Sequence, residues 1–207
     1  SFIVLLLIAA GAWTLPADAQ RIINRQSDVP NTPASVDSSL VARFQLADTY
    51  LRGGQYNRAI SLLEDLYATS PETYVFFEKL KEAYENVKRY DEAITLVDAR
   101  LDQQDTNADP ALLRSEKARL VYLNGDEQEA LTLWSDAIPS SPTENHYRLD
   151  YSSMMEVRLL EQAIEVLERG RRELSQFDLF QADLAYLYSL TGEHEKAMDE
   201  YLGLLAA

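Results

Sequence analysis

Five alanines, Ala59, Ala93, Ala130, Ala163 and Ala197, stand 34, 37, 33 and 34 residues apart in a chain of 207 residues. Their surroundings recur with them. In the first copy Leu46, Ala47, Tyr50, Gly54, Tyr56, Ala59, Leu63 and Pro71 take positions 7, 8, 11, 15, 17, 20, 24 and 32 of a 34-residue frame that starts at Leu40. A period of this length excludes a single core closed from distant segments, because each copy is too small to bury its own apolar face and must stack on its neighbours. Within a copy the spacing is helical. After Gly53 and Gly54, Ala59, Ile60, Leu62, Leu63 and Leu66 line one broad face. Small side chains at positions 8 and 20 let two helices approach closely, and large ones at 4, 7, 11, 17 and 24 fill the space between copies.

The other copies fall on the same frame. The second, from Tyr74, has Phe77, Leu80, Tyr84, Tyr90, Ala93 and Val97, with Lys81 at the small position and Asp105 in place of proline. The third, from Ala111, has Ala118, Gly125, Ala130, Trp134, Ala137 and Pro142. The fourth, from Glu144, keeps Tyr147, Ala163 and Leu167 but has Tyr151 at the small position and Arg158 at the turn glycine. The fifth, from Asp178, restores Leu184, Ala185, Tyr188, Gly192, Ala197 and Tyr201. This pattern resembles the tetratricopeptide repeat (TPR) family over residues 40 to 207. The resemblance implies an all-α superhelix, an α-solenoid of about five helix-turn-helix repeats at 40–73, 74–107, 111–143, 144–177 and 178–207.

Residues 2 to 15 are apolar and uncharged, and Ala17-Asp18-Ala19 follows with the small-x-small pattern of a signal-peptidase site. Residues 1–19 are therefore expected to be an export signal, or a membrane anchor through residues 2–16 if the apolar run is longer than the roughly 20 residues a span needs. Residues 20–39, with Pro30, Pro33 and several Ser, Asn and Asp, read as a flexible linker, with Asp37, Ser38 and Ser39 as caps of the first repeat helix. Export and the lack of cysteine place the protein in a bacterial periplasm or cell envelope, or anchored to the membrane with its repeats outside the cytoplasm.

A formal charge of −15 argues against nucleic acid, whose phosphates need a basic surface. No cysteine is available as nucleophile or thiolate ligand. Of the two histidines, His194 takes a packing position held by Tyr56 and Tyr90 in other repeats, and His146 opens a helix near Glu144 as a solvated side chain. His194-Glu195 has no second histidine four residues on, so the zinc-protease pair is missing. There is no glycine-rich phosphate loop, and Glu78, Glu82 and Glu85 form a helical stripe, not a paired acid and base. No catalytic residue, metal site or cofactor is expected.

The informative surface is the concave face that the resemblance implies, lined by the first helix of each repeat. The candidate partner-binding residues there are Phe44, Asp48, Glu78, Glu82, Glu85, Arg119, Tyr122, Arg148, Met155 and Tyr186, with Leu51 and Ser115 also mapped to it. Phe44 and Asp48 stand where family members that clamp a terminal carboxylate have lysine and asparagine. The expected partner is thus a protein or peptide segment with basic and hydrophobic anchors. The sequence points to a non-catalytic interaction module or assembly scaffold of the cell envelope. The alternative is a docking or regulatory part of a longer secretion or polysaccharide-export protein. The apolar run Tyr201 to Ala207 favours chain continuation or oligomerisation.

Overall fold

The computed structural model describes residues 34–103 and 109–206, and among these the secondary structure is entirely helical. The helices are α1 (Ala34–Arg52), α2 (Tyr56–Thr69), α3 (Tyr74–Asn86), α4 (Tyr90–Leu101), α5 (Pro110–Leu123), α6 (Glu127–Ala137), α7 (Glu144–Glu156), α8 (Leu160–Leu174), α9 (Gln181–Thr191) and α10 (His194–Ala206). The export segment and the first part of the linker lie outside the described residues. The linker is shorter than the composition implied, because α1 is already helical at Ala34. Asp37, Ser38 and Ser39 are therefore interior helical residues and not caps. The compact body begins at Arg43.

The ten described helices follow one another as pairs joined by short turns, and the periodic alanines sit at buried positions of the second helices. Ala59, Ala93, Ala130 and Ala163 are fully buried, and Ala197 is 4% exposed. Each pair is joined by a turn whose frame position 15 has a left-handed backbone: Gly54, Lys88, Gly125, Arg158 and Gly192 have φ of 69, 60, 104, 62 and 82°. The turn closes the first helix with a carbonyl bond, as in Gly125 N–H to Tyr122 O and Arg158 N–H to Met155 O. Two of the five positions thus hold a lysine and an arginine where the geometry favours glycine.

Three helix starts carry a side-chain cap, while Thr73 at the start of α3 makes none. Asp109 accepts the Ala111 N–H ahead of Pro110, and Asp126 accepts that of Glu129. At α7, Thr143 and His146 form a reciprocal cap in which His146 Nδ1 accepts the Thr143 N–H at 2.9 Å. His146 therefore has a structural role and is not simply solvated. His194 is exposed, which corrects its expected packing role: it stands at the first residue of α10, outside the packed turn.

Other departures from the frame also have physical reasons. Leu46 is 45% exposed because its face of α1 has nothing packed over it among the described residues. Leu51 and Ser115 are buried and do not belong to an open groove. Lys81 is accommodated at a small position by an ion pair with Glu116 and by the Phe77 ring, 5.9 Å from Nζ. Arg100, fully buried, donates to the Pro71 and Glu72 carbonyls at 2.6 and 3.4 Å and so ties α4 to the α2–α3 connection.

Candidate functional site

The first helices of repeats two to four, α3, α5 and α7, meet at a groove of about 400 Å³. Glu78, Lys79, Lys81, Glu82, Glu85, Asn86, Glu116, Arg119 and Glu156 line it, so five carboxylates face three cations. Repeat stacking explains the convergence, because a residue on one first helix lies beside the residue about 34 positions later on the next. Arg119 donates to both oxygens of Glu85, at 2.9 and 3.0 Å, and its Nε lies 3.1 Å from Glu156. Burial works against the Arg119 charge, but the Glu85 bonds and the surrounding carboxylates outweigh it and hold its pKa above the ordinary value. Lys79 pairs with Glu82 at 2.7 Å. Glu78 has no cation of its own among the described residues, and the Oε2 of Glu116 is buried without a hydrogen-bond partner.

Of the residues expected from sequence, the groove brings together Glu78, Glu82, Glu85 and Arg119. The rest lie elsewhere. Phe44 packs on Phe76 with ring centroids 5.4 Å apart, and Asp48 pairs with Arg52. Tyr122 leans on Trp134 at 6.2 Å, Met155 is half-buried, and Tyr186 is 50% exposed. Arg148 bonds Glu144 and Asp183, each at 2.8 Å, over the Phe180 ring. Arg119 and Arg148, both expected to face a partner, are therefore occupied by the protein's own carboxylates. Sequence reasoning missed the groove's Lys79, Lys81 and Glu116, although the 35-residue separation of Lys81 and Glu116 was a usable sign.

The second helices build grooves of their own, at equivalent places two repeats apart. One, about 340 Å³ between α2 and α4, has Leu80 and Tyr84 in its floor. The other, about 440 Å³ between α6 and α8, has Asp150 and Met154 there. None of the grooves holds a cluster of metal-ligating side chains among the described residues. No helix among those residues is long and apolar enough to cross a membrane.

No family model matches the chain, and no curated protein matches it. Among solved structures it is similar to MamA, residues 41 to the end, from Desulfovibrio magneticus RS-1, at 15% identity and TM-score 0.46, covering 81% of this chain and 93% of that one. PilW, described as a widely conserved type IV pilus biogenesis factor, is similar at 21% identity and TM-score 0.46 over 80% of this chain and 76% of that one. TTC0263, a thermophilic TPR protein of Thermus thermophilus, is similar at 16% identity and TM-score 0.46, covering 81% and 90%. The all-α architecture of TPR kind stands on this chain's own helix pairs, left-handed turns and buried alanines.

Proposed function

We propose that the chain is a non-catalytic protein-interaction module, an assembly scaffold of the cell envelope, organised as five repeats over residues 40 to 207. Its partner is a segment with basic and apolar side chains, bound along the face of the first helices. The observation that carries this reading is the carboxylate excess of the α3–α5–α7 groove, with Glu78 in no ion pair among the described residues and Glu116 holding an unused acceptor. A lysine or arginine entering there gains both, while the exposed Lys79–Glu82 pair costs little to open. The envelope location rests on the apolar residues 2 to 15 and the Ala17-Asp18-Ala19 site.

The test is fluorescence anisotropy of a labelled peptide of alternating lysine and leucine. Glu78→Lys with Glu82→Lys is expected to weaken binding at least tenfold at low salt, with the difference shrinking as salt screens the exposed charges. Equal binding by the double variant overturns the groove assignment. Recovery of the native protein from the cytoplasm alone overturns the envelope assignment. A second reading, a docking part of a longer secretion or export polypeptide, is supported by α10, where Met198, Tyr201, Leu202, Leu204 and Leu205 are 42 to 84% exposed.

A further inference from the structure

Asp150 stands at frame position 7, which is leucine in three of the other four repeats, Leu46, Leu80 and Leu184, and Lys117 in the third. A shift of 70 residues carries Ala93 onto Ala163 and Leu80 onto Asp150, and in the fifth repeat the equivalent residue is Leu184. Leu80 and Leu184 are 2% and 0% exposed, and Asp150 is equally buried at 1%. A carboxyl group thus replaces an isobutyl group in a repeat core. Its Oδ2 has no hydrogen-bond partner, and neither has Oε1 of the neighbouring Gln162, which lines the same groove. Buried acceptors left unpaired cost about 1–3 kcal/mol each, so a repeat core has no structural reason to carry them.

The groove also lacks the tyrosine–glutamate bond that two other junctions carry. Tyr84 on α3 donates to Glu64 on α2 at 2.8 Å, and Tyr188 on α9 donates to Glu168 on α8 at 2.6 Å. At the α6–α8 groove Met154 stands for the tyrosine and Ser135 for the glutamate, so that bond is missing, and Arg169 donates to Ser135 across the groove at 3.4 Å. The result is an open cleft of about 440 Å³, within the roughly 300–1,000 Å³ of ligand pockets. Its walls are Leu131, Trp134, Ile138 and Val166. Every charged group facing Asp150 lies on α8, since the α6 wall is neutral and α5 contributes Ser115. Arg169 bonds Glu173 at 2.6 Å, and Arg172 faces Glu168 at 3.7 Å. Asp150 and Glu165 are left without a cation among the described residues.

We propose that the cleft between α6 and α8 is a second binding site, which receives an arginine side chain flanked by apolar residues in a partner protein. The guanidinium fork supplies N–H donors to Asp150 and Gln162 together, and the flanking residues cover Leu131, Ile138 and Val166. The site lies on the second-helix face and is independent of the α3–α5–α7 groove. With no cation paired to it, burial pushes the Asp150 carboxyl up to about 7, opposed by the nearby Ser115 hydroxyl and the Arg169 charge. Binding a cation selects the ionised form and therefore strengthens as pH rises.

The experiment titrates acetyl-Leu-Arg-Leu-amide into the full chain and follows the indole N–H resonance of Trp134, assigned with Trp13→Phe. That indole lines the cleft and donates to Ser153 at 3.1 Å. Saturable shifts are expected, with affinity rising at least tenfold between pH 5.5 and 8. Asp150→Leu, which restores the residue of the equivalent repeats, should lose at least tenfold in affinity with its helicity intact. Asp150→Asn, a near-isosteric second variant, should remove the pH dependence. The Glu78→Lys, Glu82→Lys double variant should bind as the parent does. Equal binding by both Asp150 variants, or equal binding of acetyl-Leu-Gln-Leu-amide, overturns the site. Binding of n-butylguanidinium as tight as that of the tripeptide overturns the protein partner and leaves a small-cation site.

Discussion

The turns between paired helices provide a test in which sterics and backbone conformation separate. Arg158 and Lys88 have φ of 62 and 60°, at positions that are glycine in the other three repeats. Left-handed backbone costs a non-glycine residue about 1–2 kcal/mol. Glycine returns part of the gain, about 0.4–1 kcal/mol, through the greater freedom of the unfolded chain. Both side chains are exposed, so their removal takes away little packing. Arg158→Gly is thus expected to stabilise by roughly 0.5–1 kcal/mol, and adding Lys88→Gly to give about twice that. For a chain of this size the pair corresponds to about 2–8 °C in midpoint. The reverse change, Gly125→Ala, should cost about 1 kcal/mol although a methyl there meets nothing within 4 Å. Thermal and urea unfolding followed by circular dichroism measures all three. If Arg158→Gly lowers stability while Gly125→Ala is neutral, the left-handed turn is not what constrains this position.

Further outcomes follow from packing and charge. Ala130→Leu forces three extra carbons into a fully buried contact and should destabilise by about 1–3 kcal/mol; an unchanged melting temperature refutes the packing frame. Glu85→Lys should destabilise by about 1–3 kcal/mol, since it leaves the nearly buried Arg119 facing a like charge, and urea unfolding checks this. The Asp150 carboxyl is raised in the fold above its unfolded value, so its contribution to stability is fully present at low pH and is lost as pH climbs from about 4 to about 7. The stability gained by Asp150→Leu should therefore grow across that window and level off above it. A gain independent of pH would show that Asp150 does not titrate there.

The helix pairs were legible because their signal is local and repeated: alanines at one spacing, apolar faces at another, and glycines at three of the five turns. Lys88 and Arg158 broke the glycine pattern without breaking the turn, since the backbone conformation is imposed by the packed helices on either side. The site was less legible, because mapping each first helix separately treats its outward residues as free. Stacking instead puts Glu85 against Arg119 and Arg148 against Asp183, so charges that looked available to a partner are taken by the next repeat. Asp150 had a visible sign, an acidic residue at a leucine position. Its burial and missing partner depend on Met154, Ser135 and Gln162 together, which no single-helix pattern contains.

Those pairings between neighbours also make the repeats non-interchangeable. The second and third are matched by Lys81 with Glu116 and by Glu85 with Arg119, and the fourth and fifth by Arg148 with Asp183 and by Arg171 with Glu200. The third and fourth share the Arg119–Glu156 contact at 3.1 Å and add an uncharged relay, from the Trp134 indole to Ser153 and on to the Ser115 carbonyl, at 3.1 and 3.0 Å. Each of these three junctions thus has its own key of charge or hydrogen bonding. An array built from the same helices in a shuffled order would keep the alanine lattice and still misfit, because Arg119 and Glu116 would face a neighbour without their complements.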